Sequence, residues 1–256
     1  MTERRTIDLN ADVGEGFGPW RMGHDSELMA VATSVNVACG AHAGDPVVLQ
    51  QTLEAALRAG LAVGAHPGYP DRQGFGRRAM ALSPEEIEAS VLFQVAAVEG
   101  VLRALGGTLH HVKAHGALYN EAAGNPAIAR PIVAAVRRIA AGLILVGPPG
   151  SALLAAAVEA GLPTAAEGFA DRAYEPDGTL RSRRVPGALL TDPAAAAEQA
   201  LRLAATATIQ TICVHSDTPG APAIAAAVRL ALEGAGYRLA PVARAGPAAT
   251  VAADGA

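Results

Sequence analysis

The chain has 256 residues, 51% of them apolar and 17% charged, with a formal net charge of −4. A sequence this apolar can bury a large core, which excludes global disorder, and it shows no basic stripe of the kind that binds nucleic acid. The length suits one α/β domain of about 200–250 residues, read as a single domain over residues 1–242 followed by a small Gly- and Ala-rich tail, 243–256, expected to be flexible.

Met1–Arg5 lead straight into Thr6-Ile7-Asp8 with no apolar h-region, so no signal peptide is expected. Two cysteines, Cys39 and Cys213, cannot make a disulfide framework and fit a reducing, cytoplasmic setting. In chain order, short apolar runs fall at Thr6–Ala11, Ser34–Cys39, Leu61–Ala65, Leu109–Ala114, Leu143–Gly147, Thr164–Gly168 and Gln210–His215, with a weaker eighth at Tyr237–Val242. Between them lie helical patterns with clear starts. Asp45-Pro46, Ser83-Pro84, Asn125-Pro126 and Asp192-Pro193 each put an N-cap residue before a proline at the first helical position, and Ser83 with Glu86 makes a capping box. Leu49, Leu53 and Leu57 give the helix after Pro46 one core-facing stripe. Ile139–Val158 is a run of 20 uncharged residues, but Gly147-Pro148-Pro149-Gly150-Ser151 breaks it, so it reads as strand, turn and helix rather than a membrane span. Strand alternating with helix predicts a parallel sheet with crossover helices, open or closed into a barrel. Neither a G-x-G-x-x-G turn nor a Walker A sequence is present, which weakens a dinucleotide or P-loop reading.

Functional groups of parallel βα folds gather at the carboxyl ends of the strands. Here those ends are polar. Asp8, Asn10 and Asp12 share one face of the first strand by its period of two. The second holds Asn36 and runs on to His42; the third ends at His66, the sixth at Glu167 and the seventh at His215. The fourth carries His111, Lys113 and His115 on one face, with Tyr119 just beyond. Lys113 is the single lysine beside 19 arginines, and a lysine in a central strand needs a partner. His24 reads as a surface residue, His110 as an outer-layer residue, and the two cysteines as small buried hydrophobes. Two arginine-bearing loops, Gly68–Arg78 and Ala170–Arg184, contain Arg72 and Arg172, forks suited to a carboxylate or phosphate.

Taken together, Asp8-Leu9-Asn10-Ala11-Asp12-Val13-Gly14-Glu15, Ser34–Asp45, Gly64–Asp71, Val112–Asn120, Glu167–Tyr174 and His215-Ser216-Asp217 resemble the LamB/YcsF family, the A subunits of prokaryotic 5-oxoprolinases. The resemblance implies a seven-stranded (β/α) barrel of the glycoside hydrolase/deacetylase-like kind. It implies ATP-dependent opening of the lactam ring of 5-oxoproline to L-glutamate, together with partner subunits B and C. No membrane or nucleic-acid partner is expected.

Opening an unstrained amide needs a base for water, an acid for the departing nitrogen and a cation for oxyanion charge. In that scheme Asp12 or His66 takes the water proton, Lys113 stabilises phosphoryl or oxyanion charge, and His115 protonates the ring nitrogen. Arg72 or Arg172 pairs with the substrate carboxylate, while Asn10, Asn36 and Glu167 orient the others; His42, Tyr119 and His215 complete the substrate-binding set. Two other readings stay open. One is a metal-dependent hydrolase, because Asp12, His42, His66 and His115 are zinc-ligand types, with the need for a divalent metal undecided. The other is a non-catalytic scaffold subunit, which the convergence of ionisable strand ends argues against.

Overall fold

Alternation along each strand sorts its side chains to two faces. In β1 (Thr6–Val13), Ile7, Leu9, Ala11 and Val13 are buried on one face, and Asp8, Asn10 and Asp12 on the other. The computed structural model, which describes residues 5–243, rolls seven such strands into a closed parallel barrel. After β1 come β2 (Ser34–Ala38), β3 (Ala62–His66), β4 (His111–Lys113), β5 (Ile144–Gly147), β6 (Thr164–Phe169) and β7 (Thr211–His215). Closure rests on β1, which pairs with β2 from Asn10↔Ser34 to Val13↔Val37 and with β7 from Asp8↔Thr211 to Asp12↔His215. The weaker eighth run forms a two-residue strand, β8 (Arg238–Leu239), parallel to β1 at Thr6 and Ile7. The carbonyls of Ile7 and Leu9 point the same way, one receiving Ala240 N and the other Thr33 N, so β8 sits beneath β2 on that edge. The tail expected over 243–256 lies outside the described residues apart from Ala243.

The helices begin where their caps predict. In α2 (Pro46–Arg58) Asp45 accepts from Val47 N and Val48 N. Ser83 and Glu86 close a capping box on α3 (Pro84–Ala104). A short α4 (Gly116–Gly124) precedes α5 (Pro126–Ile139), capped by Asn125. Ser151 caps α6 (Ala152–Glu159), which confirms that the long uncharged run is β5, a turn and a helix. α7 (Pro193–Ala205) is capped by Asp192, and α8 (Ala221–Gly234) ends the series. The five-residue helix α1 (Asp25–Met29) is not foreshadowed in the sequence, because it has no side-chain cap. Among the described residues no helix is long and apolar enough to cross a membrane. The main apolar core lies between barrel and helices, where Leu49 and Leu53 of α2 are buried as their stripe predicts.

The barrel interior is mostly polar. Asp8 accepts hydrogen bonds from the hydroxyls of Thr33, Ser34 and Thr211. Asn10 donates to Glu167 Oε1 at 3.0 Å and to Thr211 Oγ1 at 2.7 Å. Asn36 donates to Asn10 Oδ1 and Asp12 Oδ1 and accepts from His111 Nε2 at 2.8 Å. Gly64 makes room for that imidazole, since a Cβ there would stand 2.2 Å from His111 Nε2. His110 departs from its expected outer-layer place: its Nδ1 lies 3.1 Å from His111 Nδ1, and it lines a small cavity of about 10 Å³ with Asp8, Asn36 and His111. Ile144, Val146 and Ala165 form a small apolar cluster here, with Val242 packed against it.

Candidate active site

Above this layer the strand ends open into one cavity of about 1140 Å³. Asp12, His66, Lys113, His115, Tyr119, Glu167, Arg172 and His215 all line it, so eight residues from different segments of the sequence share one mouth. Asn10 and Asn36 lie just beneath, bonded to this set. His42 is fully buried behind the mouth, its ring stacked on that of His115 at 3.7 Å and 1°. Arg72 is not among the lining residues. It donates to the Gly40 carbonyl and lies 4.0 Å over the Phe17 ring. Of the two arginines expected to meet a substrate carboxylate, only Arg172 faces the cavity.

Lys113 sits at the centre of the floor. Its ammonium lies 2.8 Å from Glu167 Oε1, 3.0 Å from Asp12 Oδ1, 3.1 Å from Cys213 Sγ and 3.4 Å from Asn10 Oδ1. Burial disfavours its charge, but the carboxylates of Asp12 and Glu167 outweigh that and hold its pKa well above the lysine range. Lys113 is thus a fixed cation whose donors are taken by protein groups, and it acts on the cavity through its field. Burial likewise opposes ionisation of Asp12, yet His66 and Lys113 hold that carboxyl well below its usual value. Cys213 is more than a small hydrophobe: it meets the ammonium, although burial keeps its thiol pKa well above the ordinary value. Cys39 is the plain buried cysteine expected, pushed up to about 12 by burial.

Two backbone carbonyls fix the imidazole hydrogens. His66 Nδ1 donates to Lys113 O at 2.8 Å and His115 Nε2 donates to Phe75 O at 2.9 Å. The remaining nitrogens, His66 Nε2 and His115 Nδ1, face each other at 3.0 Å. Asp12 Oδ2 lies 3.4 Å from the first, and Glu15 Oε1 lies 3.7 Å from the second. Burial pushes both His42 and His115 well below the ordinary histidine pKa. Glu15 moves the other way: burial, then the charges of Asp12 and Asp217, raise it well above the carboxylate range. His215 Nδ1 donates to Asp171 at 2.9 Å, and Tyr119 donates its hydroxyl to Glu167 Oε2 at 2.9 Å.

The loop Gly68–Arg78 is pinned to the exit of β4. Ala117 N donates to Gly76 O at 2.9 Å, and Gly116 and Gly76, both at positive φ, are pressed close enough that a Cβ on Gly116 would stand 2.5 Å from that same oxygen. Opposite it, the segment Ala170–Arg184 contributes Arg172, Arg181, Arg183 and Arg184 to the cavity wall, where Arg77 also reaches. Asp217 ties Arg77 at 2.8 Å to Arg183 at 3.3 Å. Burial and the neighbouring Arg183 push Arg172 down to about 10.

Sequence reasoning singles out neither Glu15 nor Asp171. Glu15 lies past the end of β1 beyond Gly14, whose φ of +72° turns the chain, so period-two counting no longer applies. Asp171 is two residues past β6, and only its pairing with His215 across the barrel reveals it. His24 is exposed, as expected.

The sequence matches the LamB/YcsF family over residues 7–246. It is 53% identical over 248 residues to the A subunit of 5-oxoprolinase from Methylococcus capsulatus, covering 92% of this chain and 95% of that protein. Among solved structures, the lactam utilization protein of Thermus thermophilus superposes with a TM-score of 0.86 at 44% identity, over 92% of this chain and 99% of that one. The catalytic domain of a peptidoglycan N-acetylglucosamine deacetylase from Eubacterium rectale shares the fold alone, with a TM-score of 0.53 at 11% identity over 96% and 92% of the two chains.

Proposed function

Because the chain belongs to the LamB/YcsF family, we propose that it opens the lactam ring of 5-oxo-L-proline to give L-glutamate in an ATP-dependent reaction, as the A component of an assembly with 5-oxoprolinase subunits B and C. The observation that carries the reading is the single mouth in which an ionised acid, imidazole lone pairs and a guanidinium face one space. ATP supplies the activation that an unstrained amide lacks, through transfer of a phosphoryl group to the lactam oxygen. Within the mouth Arg172 pairs with the substrate carboxylate.

Lys113 and Asn36 bind Asp12 Oδ1, which leaves Oδ2 facing the cavity. Asp12 Oδ2 is the atom that takes the water proton as oxygen adds to the ring carbon, and the neutral carboxyl returns that proton to the nitrogen as the ring C–N bond breaks; the acyl phosphate left on the opened chain is then cleaved by a second water, which releases inorganic phosphate and the product carboxylate. The rings of His66 and His115 line the same side of the mouth. His115 has no ring hydrogen facing the cavity, so it can protonate the nitrogen only after gaining a proton on Nδ1. The Lys113 ammonium, held between Asp12 and Glu167, counters the negative charge that develops on oxygen.

A product assay tests the reading. Glutamate should form from 5-oxoproline and ATP when this chain and its partner subunits are combined, and formation at the same rate without this chain would overturn it. A second reading, a metal-dependent hydrolase, is favoured by the cluster of Glu15, His42, His66 and His115, whose ligand atoms all lie within 4.8 Å of one another. Turnover of an amide by this chain alone, without ATP, would select it.

A further inference from the structure

The buried wall of the mouth gathers more lone pairs than its neutral imidazoles can satisfy. His66 and His115 each give their one neutral-ring hydrogen to a main-chain carbonyl, so the nitrogens that meet at 3.0 Å are both lone-pair bearers. With both rings neutral, two acceptors at that distance repel, and either a proton on one ring or a metal ion between them relieves the repulsion. The groups around them are acceptors too: Asp12 Oδ2 at 3.4 Å from His66 Nε2 and Glu15 Oε1 at 3.7 Å from His115 Nδ1. Glu15 is almost wholly buried, yet its own hydrogen bonds, with His42 Nε2 and Ser216 Oγ, are both 3.4 Å long. These spacings are long for hydrogen bonds. Between the nitrogens the distance is 3.0 Å and from His115 Nδ1 to Glu15 Oε1 it is 3.7 Å, on either side of the edge of about 3.4 Å between ligands placed ~2.1 Å from a tetrahedral ion. The His66 and His115 rings stand at 87°, so one point can lie in both ring planes.

We propose that His66 Nε2, His115 Nδ1 and Glu15 Oε1 bind one divalent first-row transition cation of the zinc class, with Asp12 Oδ2 beside the open fourth position. Imidazole and carboxylate donors suit such an ion. The main-chain carbonyls on the far nitrogens are the outer partners that fix ligand rings toward a metal. His42 is a positioning residue rather than a ligand. Its ring is parallel to that of His115 at 3.7 Å, so an ion in the plane of one ring lies well out of the plane of the other. With its Nδ1 buried and unpartnered, its hydrogen sits on Nε2 and points at Glu15. The inference concerns the same mouth as the proposed reaction but does not depend on the substrate.

The test uses the full chain and the metal alone. After dialysis against a chelator, titration with Zn²⁺ followed by calorimetry should show one tight equivalent, and Co²⁺ should give the visible absorption of a four- or five-coordinate site. His66→Asn and Glu15→Gln should weaken binding by about 100-fold or more, while His24→Ala, on the exposed loop, should leave it unchanged. Circular dichroism checks that each variant is folded; should His66→Asn not fold, the wild-type stoichiometry and Glu15→Gln decide. Absence of a single tight equivalent in the wild-type chain, or wild-type affinity in a folded His66→Asn or Glu15→Gln, would overturn the proposal. Ring opening is scored separately by glutamate, so failure of one does not imply failure of the other.

Discussion

The lower and upper halves of the barrel interior are built from the same kinds of residue and differ in how fully they satisfy one another. Below, Asp8, Asn10, Asn36 and His111 give and receive short hydrogen bonds, and the cavity among them has room for about one water. Above, Glu15, His42, His66 and His115 stand with lone pairs facing and a ring nitrogen unpartnered beside a cavity a hundredfold larger. Burial and polarity alone do not distinguish a site from a scaffold here; the unmet bonding capacity does. Asp12 belongs to both halves, one oxygen tied down to Asn36 and Lys113 and the other turned to the mouth.

That contrast predicts where substitutions act. Lys113→Met should have the largest effect. It leaves Asp12 and Glu167 buried without their cation, so turnover should vanish and urea denaturation should report a stability loss of about 3–5 kcal/mol. Adding Glu167→Gln should restore part of the stability and none of the activity. Asp12→Asn keeps the shape and removes the base. It should lower kcat by about 10²–10⁴-fold in the reconstituted assembly, with a smaller change in unfolding midpoint than Lys113→Met. Gly64→Ala probes the lower half: its methyl would meet the His111 ring, and a stability loss of about 1–3 kcal/mol is expected with kcat retained.

The smallest effect is a slope. Burial, partly offset by three hydroxyl donors, raises the pKa of Asp8 above 3.8. Folded Asp8 therefore holds its proton where the unfolded chain has lost it, and it contributes most below 3.8, a contribution lost as pH rises through the folded value. In Asp8→Asn, denaturation across that window should lose this component of the pH dependence while activity persists. A variant of Asp8 that folds normally yet abolishes turnover would erase the distinction between the halves.

Much of this is legible in the sequence. Period two puts Asp8, Asn10 and Asp12 on one face and His111, Lys113 and His115 on another, and both faces point into the barrel. The Asp45, Ser83, Asn125 and Asp192 caps mark their helix starts because capping is local chemistry. What escapes depends on the third dimension. Barrel closure requires β1 to pair with two strands far apart in the chain, which the βα rhythm does not specify. Glu15 lies past a glycine turn, and the stacking of His42 on His115 joins two unrelated loops. Arg72 and Arg172 look alike in sequence, and only the fold turns one onto Phe17 and the other into the mouth.

The clamp between Gly76 and Gly116 has a last consequence. It makes the histidine wall part of the rigid frame, because the carbonyl that aims His115 belongs to the residue next to the clamped glycine. A side chain on Gly116 would press on the Gly76 carbonyl and displace the neighbouring Phe75 carbonyl with it, so a residue without a functional group governs the aim of an imidazole.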